Sequence, residues 1–251
     1  MLKQYSYHDI EEWAKYSGDR NRIHFDKAFA IENGLKDVII QGMLILLDAK
    51  MMMVPLVNEG SEINFFIKKP VPVNTDIDFS IKETPNKKIL TVAELSNIDD
   101  ACVTSTILQQ KPPKLNADVN QIRVTPEFIQ TYLDLLKDYY PHIVANWLIM
   151  DTLLFCICFN QQKDDYFYRQ SLKISQDNDR NKITTYHAAQ KLFISERLLN
   201  SDDIEFSDIS YAIEEKDVYV LEDSAYSTFN ISAIEKNEII FQSSIGCITK
   251  A

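Results

Sequence analysis

Two segments of this chain, Gln41–Leu56 and Ile143–Phe159, are almost wholly apolar. The second is the longest apolar stretch, yet Asn146 and Asp151 interrupt it, and it is too short and too polar to span a bilayer comfortably. Each is expected to be a helix that is apolar on most faces, and such a helix is stable in water only if other elements cover it nearly all round. The fold must therefore wrap a helix, and material suited to wrapping follows the first segment. Ile63–Lys69, Thr75–Glu83, Lys88–Asn97 and Ala101–Gln110 alternate apolar and polar residues in β-rich composition. Turn signals at Pro70/Pro72, Pro85-Asn86 and Asp99-Asp100 separate them.

An amphipathic helix leads in: Ser6 precedes Tyr7, Ile10, Trp13 and Ala14 at spacings of three and four, with Asp9, Glu11 and Glu12 in the first turns. A loop follows at Ser17-Gly18-Asp19, then a short helix at Lys27–Glu32. The polar, proline-bearing stretch starting at Lys111 suits neither helix nor central strand, so the best boundary lies near residues 111–124. Beyond it the same order recurs. Thr125-Pro126-Glu127 opens an amphipathic helix, Pro141 starts the second buried helix, and strands are expected at Tyr166–Ser175, Lys182–Gln190, Lys191–Arg197, Ile209–Glu214, Ala225–Ile234 and Ile239–Thr249. The fold class is α+β, in two units, 1–115 and 121–251, each with a buried helix wrapped by an antiparallel sheet. Pairing the two sheets edge to edge would leave a cleft between the units, where small-molecule sites are common.

Composition excludes some functions. A net charge of −11, from 26 Lys+Arg against 37 Asp+Glu, provides no basic stripe for nucleic acid. The four cysteines are dispersed, and the close pair Cys156/Cys158 sits in an apolar run without histidine at metal-ligand spacing, so buried thiols are expected rather than zinc or disulfides. The polar N-terminus lacks the apolar stretch of a signal peptide, which points to a reducing, cytoplasmic setting. Neither nucleic acid nor membrane is an expected partner.

Chemistry concentrates in Tyr16–Leu44, which holds three of the five glycines (Gly18, Gly34 and Gly42) and places Asp19 five residues before His24. An imidazole exchanges protons near neutrality, and a nearby carboxylate can orient it or hold a water beside it. Asn21 lies between them and can tie down the loop. Gly42 opens the first buried helix, so its N–H is a free donor able to meet an oxygen that gains negative charge. The spacing D-x-x-x-x-H by itself is weak evidence, and a surface loop with a satisfied histidine would show it too.

The run S-G-D-x-N-x-x-H-x-D from Ser17 to Asp26, followed by Gly34 and by Gln41-Gly42-Met43-Leu44, resembles the MaoC-like, or hydratase-2, family of hot-dog-fold enzymes. The element F-x-K-x-P-V, Phe66 to Val71, with Thr75 after it, resembles that family's second landmark. The resemblance covers about residues 5–110. It implies a tandem double hot-dog and an (R)-specific enoyl-thioester hydratase or 3-hydroxyacyl-thioester dehydratase. Asp19 and His24 match the catalytic pair and Gly42 the oxyanion amide, while Asn21, Gln41 and Met43 are the expected substrate-binding residues. Where Arg22 and Gln41 stand, the family usually has proline and histidine.

The second unit has no comparable D-x-x-x-x-H and resembles a degenerate half that completes the cleft and accommodates the acyl chain. The implied substrate is an acyl-CoA or an acyl carrier protein thioester, in fatty-acid metabolism, with no cofactor and no metal; a homodimer is compatible with the fold. Lys68-Lys69 and Lys87-Lys88 are the positive charges nearest the expected cleft. His142, His187 and His8 read as structural, and Met51-Met52-Met53 as adaptable core or pocket wall. A non-catalytic acyl-thioester binding module is the alternative function, and a thioesterase on the same fold is a third.

Overall fold

The computed structural model describes all residues except 59, 85, 86, 117, 118, 120, 175–182, 201–203 and 251. The Pro85-Asn86 turn lies outside the described residues. A short strand β1 (Leu2–Gln4) leads to helix α1 (Tyr7–Ser17), which starts at a reciprocal capping box between Ser6 and Asp9. That helix turns Ile10, Trp13 and Tyr16 inward and stops at Gly18, whose φ of 79° is the left-handed conformation that glycine adopts without cost. Helix α2 (Lys27–Glu32) and the buried helix α3 (Gly42–Met53) follow. Strands β2 (Ser61–Ile67), β3 (Asp76–Thr84), β4 (Lys87–Glu94) and β5 (Ala101–Gln109) complete the first half.

The second half repeats the order: β6 (Ile122–Arg123), α4 (Pro126–Tyr139), α5 (Asn146–Ser171), β7 (Thr184–Ile194), α6 (Glu196–Asn200), β8 (Ser210–Val220), β9 (Ser224–Glu235) and β10 (Glu238–Lys250). Two expectations fail here. The strand expected at Tyr166–Ser175 is not formed over its described part, because α5 runs on to Ser171; Ser175 lies outside the described residues. Tyr166, Phe167 and Tyr168 suit a strand, but no glycine or proline stands between Pro141 and Gly246 to stop a helix already formed. For the same reason nothing divides Gln190 from Lys191, and the two strands expected there are the single strand β7, with Arg197 in α6.

All ten strands form one antiparallel sheet in the order β1-β3-β4-β5-β2-β7-β10-β9-β8-β6. The halves join at β2 and β7, where Asn64 faces Lys191 and Phe66 faces Ala189. The sheet encloses α3 and α5, and one apolar cluster unites both halves through Leu46, Phe65, Trp147, Leu154 and Phe241. Trp13 of α1 packs against Tyr140 and Phe155 of the second half, with ring centroids 5.9 and 6.0 Å away.

A polar contact lies inside this core. Lys50 Nζ on α3 donates to Asp151 Oδ2 on α5 at 2.5 Å, both side chains being sealed from water. Asp151 also accepts from Gln190 Nε2 of β7 (2.9 Å), which in turn donates to Ser243 Oγ of β10 (2.8 Å). Burial pushes the Lys50 ammonium below its usual range, and the Asp151 carboxylate opposes that shift.

Candidate active site

The loop after α1 is built by its own short polar side chains. The Ser17 hydroxyl donates to Trp13 O and accepts from Asp19 N, at 2.8 and 3.1 Å. Asp19 Oδ1 accepts from Asn21 N (3.3 Å), and Asn21 Oδ1 accepts from Ile23 N (3.5 Å), which starts a single 3-10 turn at Arg22–His24. Asn21 Nδ2 reaches the other half of the molecule and donates to Thr185 O on β7 at 2.8 Å. This loop is thus anchored across the junction.

His24 is 5% exposed and Asp19 8%, low values for groups of this polarity outside a site. The His24 Nδ1 atom lies 2.7 Å from Ile39 O. A carbonyl oxygen only accepts, so the neutral ring carries its proton on Nδ1 and offers a lone pair at Nε2. That Nε2 faces Asp19 Oδ2 at 3.9 Å. Two acceptors at this separation are too far apart for a direct hydrogen bond and well placed to receive the two O–H bonds of one water.

Both groups open into a cavity of about 660 Å³ at the junction of the halves. The first half contributes Asp19, Asn21, His24, Gly42 and Met43, and the second Phe155, Phe159, His187, Phe229 and Ile245. Gly42 is the first residue of α3, so its N–H has no acceptor within the helix. A Cβ on Gly42 would lie 2.8 Å from Ile67 Cδ1, a methyl that can swing away, and 3.2 Å from His187 Cβ, so any larger residue presses the helix start against β7. The rim is basic: Arg20, Arg22, Lys68, Lys69 and Lys250 line the cavity, and Asp19 is its one acidic residue among the described ones. Arg20, Arg22 and Lys69 are partnered by Glu11, Asp26 and Asp100.

Five of the six expected site residues line this cavity; Gln41 does not. Its side chain is fully buried and donates to Ile10 O of α1 at 3.2 Å, bracing the start of α3 from behind. The expectation that Gln41 binds substrate is therefore corrected, because the amide is turned toward α1. His187, read as a structural strand residue, lines the cavity beside Gly42, and no local signal could have revealed this. All four cysteines are free and buried, Cys247 among the residues of the cavity wall. Burial pushes the Cys158 thiol up to about 12 and raises those of Cys156 and Cys247 as well. Among the described residues no cluster of three or more His, Cys, Asp or Glu is arranged to hold a metal ion. Among them, too, no helix is long and apolar enough to cross a membrane.

The family model of the MaoC like domain matches residues 3–97, which span α1, the polar loop, α3 and the first strands. That segment is similar to a MaoC like domain. Whole-chain comparison extends the likeness to the fold of both halves. A conserved hypothetical protein from Mycobacterium tuberculosis, described as having a double hotdog fold, is 8% identical with a TM-score of 0.52, over 99% of this chain and 94% of its own. A MaoC-domain protein from Chloroflexus aurantiacus, named provisionally as a dehydratase, is 9% identical with a TM-score of 0.50, over 100% of this chain and 93% of its own. At such identities the likeness concerns fold alone, and the fold is the double hot-dog: two buried helices, each wrapped by part of a shared antiparallel sheet. None of the curated proteins matches the chain in sequence.

Proposed function

We propose that this protein is a hydro-lyase that adds water across trans-2-enoyl thioesters, or removes it from (R)-3-hydroxyacyl thioesters. The observation that carries this reading is the pair of acceptors, Asp19 Oδ2 and His24 Nε2, held 3.9 Å apart in a cavity that also exposes the start of α3. In hydration, water donates one O–H bond to each group. Its oxygen bonds to the β-carbon of the enoyl chain while one of its protons passes to the pair. The electrons of the double bond move toward the thioester carbonyl, whose oxygen takes a hydrogen bond from Gly42 N–H, and the α-carbon then receives a proton from the pair. Dehydration retraces these steps. Asn21 positions the loop, and Met43 forms wall beside the acyl group.

In this reading residues 1–115 are the catalytic unit, and 121–251 the degenerate unit that supplies the apolar floor and the far wall. The carrier is coenzyme A or an acyl carrier protein, drawn by the basic rim against a chain whose net charge is −11. A reducing, cytoplasmic setting suits four buried free thiols, and fatty-acid metabolism is the natural context. The chain acts alone or as a homodimer of these double units.

The test is the loss of enoyl absorbance when the purified protein meets crotonyl-CoA or an enoyl carrier-protein substrate. Asp19→Asn and His24→Ala are each expected to lower kcat about 10²- to 10⁴-fold. Undiminished activity in both would overturn the assignment. Tight binding of acyl thioesters with no turnover by the wild type would instead establish a binding module.

A further inference from the structure

His187 carries a buried polar atom that the mechanism above does not use. Its Nδ1 is out of contact with solvent and has no hydrogen-bond partner among the described residues. The ring nevertheless lines the substrate cavity, and Nδ1 lies 3.5 Å from the point where a Gly42 Cβ would stand. An unmatched buried polar group is costly unless something arrives to satisfy it.

The chemical character of that atom is fixed by the strand. His187 Nε2 is 3.0 Å from Ala189 O, two residues along β7. A carbonyl only accepts, so Nε2 holds the proton and Nδ1 is a bare lone pair. Burial, with the Lys50 charge nearby, holds the imidazolium down at about 3, so the ring is neutral at any working pH. The backbone geometry is specific as well. Gly246 of β10 pairs with Ala189 and Cys247 with His187, which leaves Ala188 as the extra residue of a β-bulge, and the His187–Ala189 bond spans that bulge. Pairing of β2 with β7 ends at Ala189, so His187 stands where the sheet opens into the cavity.

A lone pair needs a donor, and an acyl thioester has few. The thioester carbonyl and the alkene donate nothing, and the 3-hydroxyl or incoming water belongs to Asp19 and His24. What remains is the amide N–H of the pantetheine arm, nearest the thioester sulfur. Its path fits. Lys250, on the basic rim, pairs with Thr184, and His187 lies three residues further along β7, roughly 10 Å inward. An arm entering past Lys250 passes His187 before its carbonyl meets Gly42.

The geometry points to His187 as a substrate-binding residue of the second half, whose Nδ1 accepts a hydrogen bond from the pantetheine amide N–H of the thioester. This rests on the thioester reading of the site. It is tested by calorimetric binding, which does not require turnover, of two saturated ligands: the butyryl thioester of N-acetylcysteamine, and the butyryl S-(4-oxopentyl) thioester, which has a methylene where the amide nitrogen stands. The wild type is expected to prefer the amide ligand by roughly tenfold. His187→Leu is expected to abolish that preference, by weakening the amide ligand alone. His187→Asn, which can present its Oδ1 where Nδ1 stood, is expected to restore at least part of it. Equal binding of the two ligands by the wild type, or equal weakening of both in His187→Leu with no rescue in His187→Asn, overturns the inference. Failure of crotonyl-CoA hydration with the preference intact would remove the proposed reaction and leave this contact standing, and no binding of either ligand by the wild type would overturn both.

Discussion

The two halves of the molecule differ most between their first helix and their buried helix. In the first half, residues 18–41 separate α1 from α3 and contain the polar loop, the 3-10 turn and α2. In the second, only residues 140–145 separate α4 from α5. The second half therefore does not carry a damaged copy of the Asp19–His24 site; it lacks the stretch of chain that would house one. Its buried helix is correspondingly extended, with 26 residues in α5 against 12 in α3. In the proposed reaction one half supplies the proton-transfer groups, and the other supplies wall, floor and the His187 lone pair.

If that division holds within a single core, severing the contact between the two buried helices should unfold both halves together. Lys50→Met leaves Asp151 buried without its cation and is expected to cost about 3–5 kcal/mol of stability. Urea unfolding followed by tryptophan fluorescence and by far-UV circular dichroism should give one coincident transition shifted to lower urea, and Lys50→Met with Asp151→Leu should recover most of the loss. Separate transitions for the two signals would show that the halves are independent bodies. A smaller effect tests their contact at the site. Gly42→Ala places a Cβ 2.8 Å from Ile67 Cδ1 and 3.2 Å from His187 Cβ. The Ile67 methyl can swing away, but His187 Cβ is tied to the strand, so kcat/KM for crotonyl-CoA should fall roughly 10- to 100-fold with the melting temperature little changed. An unaltered rate would mean that the second half does not bear on the start of α3.

The smallest effect is on the pH dependence of stability. The folded His187 titrates at about 3, well below its ordinary 6.5. Between those values the unfolded chain binds a proton that the folded chain refuses, so this group makes stability fall as pH drops, by at most roughly 1.4 kcal/mol per pH unit. Above 6.5 it contributes no pH dependence. Urea midpoints of His187→Asn at pH 7, 5.5 and 4.5 should therefore decline less steeply than those of the wild type. Identical slopes would place the His187 Nδ1 in contact with solvent.

Much of this was legible in the order of residues. The apolar runs at Gln41–Leu56 and Ile143–Phe159 demanded enclosure, and the period-two segments after Ile63 and after Ile209 are strands, because solvation imposes both patterns locally. The capping residues Ser6 and Thr125 also declared themselves, since a cap acts within one helical turn. The extent of α5 was not legible, because aromatic residues near its end suit a strand equally well and only the absence of a breaker let the helix continue. Gln41 was misread for a different reason. Its neighbours Gly42 and Met43 line the cavity, yet one step around the helix start turns its amide toward Ile10.

Local sequence determined that Asp19, Asn21 and His24 lie within one short loop, since five residues closed by their own side-chain turns cannot separate far; Gly42, 18 residues on, is brought to them by the contacts of Ile39 with Ile23 and His24 and of Ile40 with Val71. Local sequence also determined that two helices had to be wrapped, because burying them is the dominant favourable term in folding. Tertiary structure alone decided what faces the loop. Antiparallel pairing of β2 with β7, and the bulge at Ala188, carry His187 to Gly42 from 145 positions away in sequence. A hydrogen-bonded register spanning that separation depends on long-range pairing and on a one-residue offset, and no local pattern of side chains encodes either.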